Sequence, residues 1–215
     1  MAVVGDGGRR QRRLRQARRT PRRRSCVVTL SPAQEYRVTA ARFGELVDGV
    51  SDPAVWERRS PVPEWSARDV VRHVVEWFPS FLEDGAGITL PQGPSVDDDP
   101  VAAWHTMSDG VQALLDDPSS ADKVLSNPHI GEVPVPAAVS QFFTSDVFMH
   151  TWDLARATGQ EVVLDPDRCA AYLEGMLPLD DVLRASGQYG PKVEVPVDAD
   201  AQTRLLAFIG RDPHA

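Results

Sequence analysis

The chain has 215 residues, 42% of them apolar and 25% charged, with a formal net charge of −8 and two cysteines. No stretch approaches the roughly 18 unbroken apolar residues of a membrane span, no apolar h-region follows the N-terminal charges, and Cys26 and Cys169 lie too far apart to suggest a disulfide framework or a thiolate metal site. The composition therefore points to a cytoplasmic protein with one sizeable core, neither membrane-spanning nor exported.

Charge is unevenly placed. Residues 9–24 (RRQRRLRQARRTPRRR) hold ten of the 23 basic residues, and Asp6 is the only acid among the first 26. Such a stretch has no apolar periodicity to fold it, so residues 1–26 are expected to be a disordered Arg-rich tail. The tail allows a nucleic-acid tether; the plainer alternatives are a solvated extension, or a stretch translated from too early a start codon. From Val27 onward 13 basic residues face 30 acidic ones, a net −17, and that part should repel nucleic acid.

Ser31 opens the predicted fold. In SPAQ, Ser31 can cap a helix, Pro32 suits its first position and Gln34 completes a capping box; Tyr36, Phe43, Leu46 and Val47 then recur at helical spacing over about 32–49. A proline-rich loop leads to Ser66, a second cap with Asp69 three residues on, followed by the almost wholly apolar run VVRHVVEWFPSFL to about Leu82. Residues 84–100 read as a long exposed loop, and a third helix from about Pro100 carries Trp104, Met107 and Val111. KVLSNPHIGEVPVP allows at most a short extended piece before a fourth helix, about Ala137 to Thr158, that stops at Gly159. A shorter helix from Pro166 to about Leu177 and a final one through residues 200–209 complete an all-α chain of four bundle helices with extra C-terminal helices.

On the fourth helix Asp146 and His150 stand one turn apart on one face, among Phe142, Phe143 and Met149. A carboxylate buried there is costly unless it is paired or metal-bound. His73, between valines on the second helix, can join them, and two imidazoles with one carboxylate make a facial set that leaves positions open on a divalent cation. Each feature also has a structural alternative, His73 as a hydrogen-bonded core histidine and Asp146 with His150 as an intrahelical pair; spacing alone leaves both open. Asp153 can orient a ligating His150 or pair with Arg156, Trp77 and Trp152 can wall a pocket, His129 can border it, and Glu76 reads as a solvated flank.

EWSARDVVRHVVEW resembles the Trp-Ser-x-x-Asp-x-x-x-His helix of the DinB-like and mycothiol-dependent maleylpyruvate isomerase N-terminal superfamily, and HTWDLARATG resembles its second histidine motif. QYGPKVEVPVDADAQTRLLAFIGRDP is similar to the C-terminal signature of an actinobacterial subfamily of metal-binding proteins, so the likeness spans about residues 30–213. It implies a DinB-like four-helix bundle holding one divalent metal, zinc first and nickel as the alternative, on His73, Asp146 and His150. It further implies a thiol cofactor such as mycothiol, a transferase or isomerase activity, a small-molecule substrate, no membrane partner, and room for a homodimer. The characterised isomerase has glutamate where this chain has Asp146, and a second, C-terminal domain whose counterpart is not expected here. A metal-dependent hydrolase and a non-catalytic metal- or ligand-binding protein are the competing readings.

Overall fold

The structure, a computed structural model, describes residues 1–2 and 30–214; the arginine-rich stretch and the expectation of disorder there lie outside the described residues. Helix α1 (Pro32–Asp48) starts as its sequence dictates, with Ser31 accepting from the Gln34 amide and Gln34 returning to the Ser31 amide. Helix α2 (Ala67–Ala86) has the same reciprocal cap between Ser66 and Asp69, which satisfies amide groups that a helix start otherwise leaves unpaired. It outruns the expected end near Leu82 and tolerates Pro79 in its interior.

Helix α3 (Pro100–Asp116) is capped by Asp99. The loop before it is not wholly exposed as expected, because Leu90 and Val96 are buried and anchor it to the bundle. A two-stranded antiparallel hairpin, β1 (Val124–Asn127) with β2 (Gly131–Pro134), gives the short extended piece its partner. The predicted fourth helix is three pieces: α4 (Val135–Ala138), a π-helical segment (Val139–Thr144) and α5 (Ser145–Thr158), with Gly159 in the left-handed conformation at its end. Helices α1 and α2 each pack on both α3 and α5, which makes the four-helix bundle. Its core includes Tyr36, Phe43, Trp104 and a stacked Phe78–Phe143 pair with ring centroids 4.3 Å apart.

Helices α6 (Pro166–Met176), α7 (Asp180–Ala185) and α8 (Ala201–Phe208) follow, of which α7 is an addition to the expected set. A second core joins Phe148, Met149 and Trp152 of α5 to Cys169 and Leu173 of α6 and Leu205 of α8. Helix α5 is therefore apolar on two sides: one turns to the bundle and the other to the C-terminal helices. Between these two cores run the polar residues of the site.

Because the cap at Ser66 fixes where α2 begins, Ser66→Ala should cost about 1 kcal/mol, a loss that should lower the midpoint of thermal unfolding by ~2–4 °C. Calorimetry on wild type and variant checks this, and no shift at all would mean that Asp69 alone suffices as a cap.

Candidate metal centre

Two helix faces and one loop build the site. On α2, His73, Trp77 and Phe81 follow one another at intervals of four residues, so they form a stripe beside the buried valine face. On α5, Asp146, Met149, His150 and Asp153 share one face by the same periodicity. The loop before α2 adds Trp65: Ser60 donates its amide to the Trp65 carbonyl at 2.8 Å, and Glu64 turns the chain with a left-handed φ of 67° that glutamate seldom adopts.

Where the faces meet, one atom each from His73, Asp146 and His150 lies within 4.8 Å of the others. Asp146 Oδ2 is 3.1 Å from His73 Nε2 and accepts from Trp77 Nε1 at 3.0 Å, while Oδ1 is 3.5 Å from His150 Nε2. The Trp65 ring stacks on His150 with a 5.7 Å centroid separation and lies 5.0 Å from His73. The three residues that the sequence picked out thus come together from two helices.

Behind them stands a second carboxylate. Asp153 is fully buried; one oxygen is 2.9 Å from His150 Nδ1, and Arg211 grips both oxygens, Nε to Oδ1 at 2.9 Å and Nη2 to Oδ2 at 3.0 Å. An ionised Asp153 can only accept, so His150 Nδ1 must carry the hydrogen, and Nε2 is the ring nitrogen that faces Asp146 and the cavity, a donor while the ring is protonated and a free lone pair once it is neutral. Burial alone would raise the Asp153 carboxyl, but the His150 bond and the Arg211 charge outweigh it and hold its pKa below the ordinary range. The same balance applies at Asp146, where the nearby His150 charge and the His73 and Trp77 bonds overcome burial and depress the pKa. Burial would lower His150, yet the Asp146 charge and the Asp153 bond outweigh it and raise the pKa.

The centre opens on a cavity of about 700 Å³. Aromatic Trp65, Trp77, Phe81 and Phe142 wall one part, and Tyr189 and Arg211 reach in from the C-terminal segment. Gly190 and Gly210 touch there: a Cβ on Gly210 would stand 2.8 Å from the Gly190 backbone, and Gly210 has φ +85°. At position 210 no side chain larger than hydrogen fits, whereas a Cβ on Gly190 would meet the Gly210 carbonyl at an ordinary 3.6 Å.

The geometry decides the remaining expectations. Asp153 pairs with His150 and Arg211, while Arg156 lies over the Trp152 ring at 6.0 Å. Trp77 lines the cavity, but Trp152 is buried in the second core. His129 is exposed at the hairpin turn and its neighbour Ile130 lines the cavity instead; His105 pairs with Asp48 at 2.7 Å on the surface, and Glu76 is exposed as expected. Sequence reasoning missed Arg211, Trp65 and Tyr189. All three lie in stretches that carry the family likeness, Trp65 directly before the Ser66 cap and Tyr189 and Arg211 at the two ends of the C-terminal signature, but nothing local marks them as facing the site.

The sequence profile of the mycothiol maleylpyruvate isomerase N-terminal domain family matches residues 36–155, more than half of the chain. The chain belongs to that family. Two uncharacterized proteins of Mycobacterium tuberculosis, from the CDC 1551 / Oshkosh and H37Rv strains, are each 29% identical over 161 residues, covering 71% of this chain and 82% of the relative. No solved structure matches. The family match takes in His73, Asp146, His150 and Asp153 and stops short of Tyr189 and Arg211. Two imidazole nitrogens and one carboxylate oxygen, converging at one end of a cavity, are a donor set that fits a divalent cation.

Removing Arg211 would leave the buried Asp153 charge with His150 alone. Arg211→Met should therefore destabilise the protein by about 3–5 kcal/mol, measured by urea unfolding in the presence of chelator. A loss of well under 1 kcal/mol would show that the ion pair contributes little.

Proposed function

We propose that residues 30–213 form one metal-binding unit that holds a single divalent cation, zinc first and nickel as the alternative, on His73, Asp146 and His150. With that cation it readies a low-molecular-weight thiol, mycothiol being the one in the family's name, for transfer or isomerisation of a small molecule. The observation that carries the proposal is the convergence of three ligand atoms within 4.8 Å at the mouth of a cavity large enough for a thiol and a second molecule. A divalent cation held there supplies Lewis-acid charge that lowers the pKa of a thiol beside it and so favours the nucleophilic thiolate.

The chain's own residues do the rest. Trp77 pins one oxygen of Asp146, and Asp153, clamped by Arg211, sets the tautomer and the ring plane of His150. Trp65 covers the His150 ring, and the aromatic walls keep water from the nucleophile. Cys169 is the free cysteine among the described residues, and it is buried in the second core with its thiol pushed up by burial to about 11. It is poorly placed to be the nucleophile, so the thiol is supplied from outside. No helix among the described residues is long and apolar enough to cross a membrane, which accords with a cytoplasmic site of action for such a thiol.

A second reading has one observation in its favour. Without any ion the polar cluster is already well paired, Asp146 by His73 and Trp77, and His150 by Asp153. The trio then serves as a structural hydrogen-bond network.

Elemental analysis separates the two. The proposal expects near one equivalent of divalent metal in wild type, lost in His73→Ala and His150→Ala, and a fall in thermal midpoint on chelation of the wild type alone. Asp153→Asn should retain the ligands but weaken metal affinity by about 10–100-fold. A wild type that stays metal-free after incubation with zinc and nickel, and that chelators leave unchanged, would return the trio to structure; turnover without added thiol would instead indicate a hydrolase.

In a Cys26→Ser background, Cys169 should resist a thiol-specific reagent at pH 8, where a group titrating at about 11 is almost wholly protonated. Labelling should follow global unfolding in urea. Rapid labelling of the native protein would reinstate Cys169 as a candidate nucleophile.

A further inference from the structure

The cavity's charges can be counted, and the count restricts what enters. Its lining carries four strongly ionisable residues among those described, His73, Asp146, His150 and Arg211. The Arg211 charge is matched by Asp153: Nε and Nη2 donate to its two oxygens, and Nη1 donates to the Ile209 carbonyl at 3.3 Å. That pair sums to zero. A divalent cation with the Asp146 carboxylate leaves +1, and one thiolate cancels it.

Nothing remains to balance a second anion. The rest of the lining is apolar or neutral, including Trp65, Trp77, Phe81, Phe142 and Met149, with neutral polar groups at Gln141, Ser145, Gln188 and Tyr189. Burying an uncompensated carboxylate or phosphate against such walls is strongly unfavourable, whereas an aromatic or alkyl body gains by leaving water. We infer that the second substrate of this site is an uncharged molecule with an apolar body of about aromatic size, and that dicarboxylates and phosphorylated compounds are excluded. The inference rests on the thiol-and-metal reading for its charge count and on the lining alone for the apolar body. Family membership does not fix this selectivity, since Gln188, Tyr189 and Arg211 come from beyond the matched residues 36–155.

Two thiols that share a donor and differ in body test it: 2-phenylethanethiol and mercaptosuccinate, titrated into the full-length, zinc-incubated protein by calorimetry and by quenching of tryptophan fluorescence, to which Trp65 and Trp77 contribute. The aryl thiol should bind at least about tenfold more tightly, the factor that corresponds to ~1.4 kcal/mol. Gln141→Lys, at an exposed lining position, adds the missing cation and should strengthen mercaptosuccinate binding several-fold while leaving 2-phenylethanethiol nearly unchanged. Equal affinities, a preference for mercaptosuccinate, or no binding of either thiol would overturn the inference. The same titrations in chelated protein and in Asp146→Ala keep the two readings apart. Aryl selectivity that survives both would retain the apolar substrate class and defeat the metal reading; unselective binding that needs Asp146 and zinc would do the reverse.

Discussion

A fully buried carboxylate, Asp153, governs much of this structure. It lies on α5 between two hydrophobic cores, where an isolated charge could not stay ionised, so the fold must bring a cation to it. Arg211 arrives from 58 residues further on and engages both oxygens. To reach Asp153, the segment after α8 folds back over α5 and brings Gly210 against Gly190, which follows Tyr189 in the stretch between α7 and α8, so that all three lie along the cavity. Compensation of one charge thus closes a wall of the site and fixes the tautomer of His150.

The rest of the scaffold places apolar surface so that polar groups can be spared for the centre. Helix α2 buries Val70, Val71, Val74, Phe78 and Leu82, which leaves the His73, Trp77 and Phe81 stripe free to face the cavity. The π-helical turns before α5 have a comparable effect. Each such bulge adds a residue and rotates the following side chains by about 100° relative to a continuous α-helix. Gln141, Phe142 and Ser145 line the cavity at that junction, next to Asp146. Arg184 ties the C-terminal wall together by donating to the Gly190 and Phe208 carbonyls.

Legibility in the sequence followed the range of the physical signal. The caps at Ser31, Ser66 and Gly159 are local chemistry, and the helices they bound were readable to within a few residues. The meeting of His73 with Asp146 and His150 needed the helical periods together with the likeness to a family, because no local rule says which two faces pack. The π segment has no composition of its own: VSQFFT continues an apolar helical pattern, and only the packing of Phe143 on Phe78 reveals the shift. Helix α7 keeps Val182 exposed, as is Leu179 just before it, so it lacks the one-sided burial that makes a helix visible from its sequence. Arg211 was the least legible, since an arginine in GRDP resembles any solvated residue until Asp153 is known to be buried.

The two halves of the site also differ in what they can vary. His73, Asp146, His150 and Asp153 lie within the stretch that the family shares, and their geometry is over-determined: each is held by at least one hydrogen bond or close ion pair inside two packed helices. The C-terminal wall is tied down mainly by Arg184 to backbone carbonyls and by Arg211 to Asp153, contacts that are indifferent to the side chains at 188 and 189. Gln188 and Tyr189 line the cavity from that wall, and Tyr189 also packs against the second core. The donor set thus stands on the bundle helices and the facing wall on the C-terminal segment, so the two can vary separately.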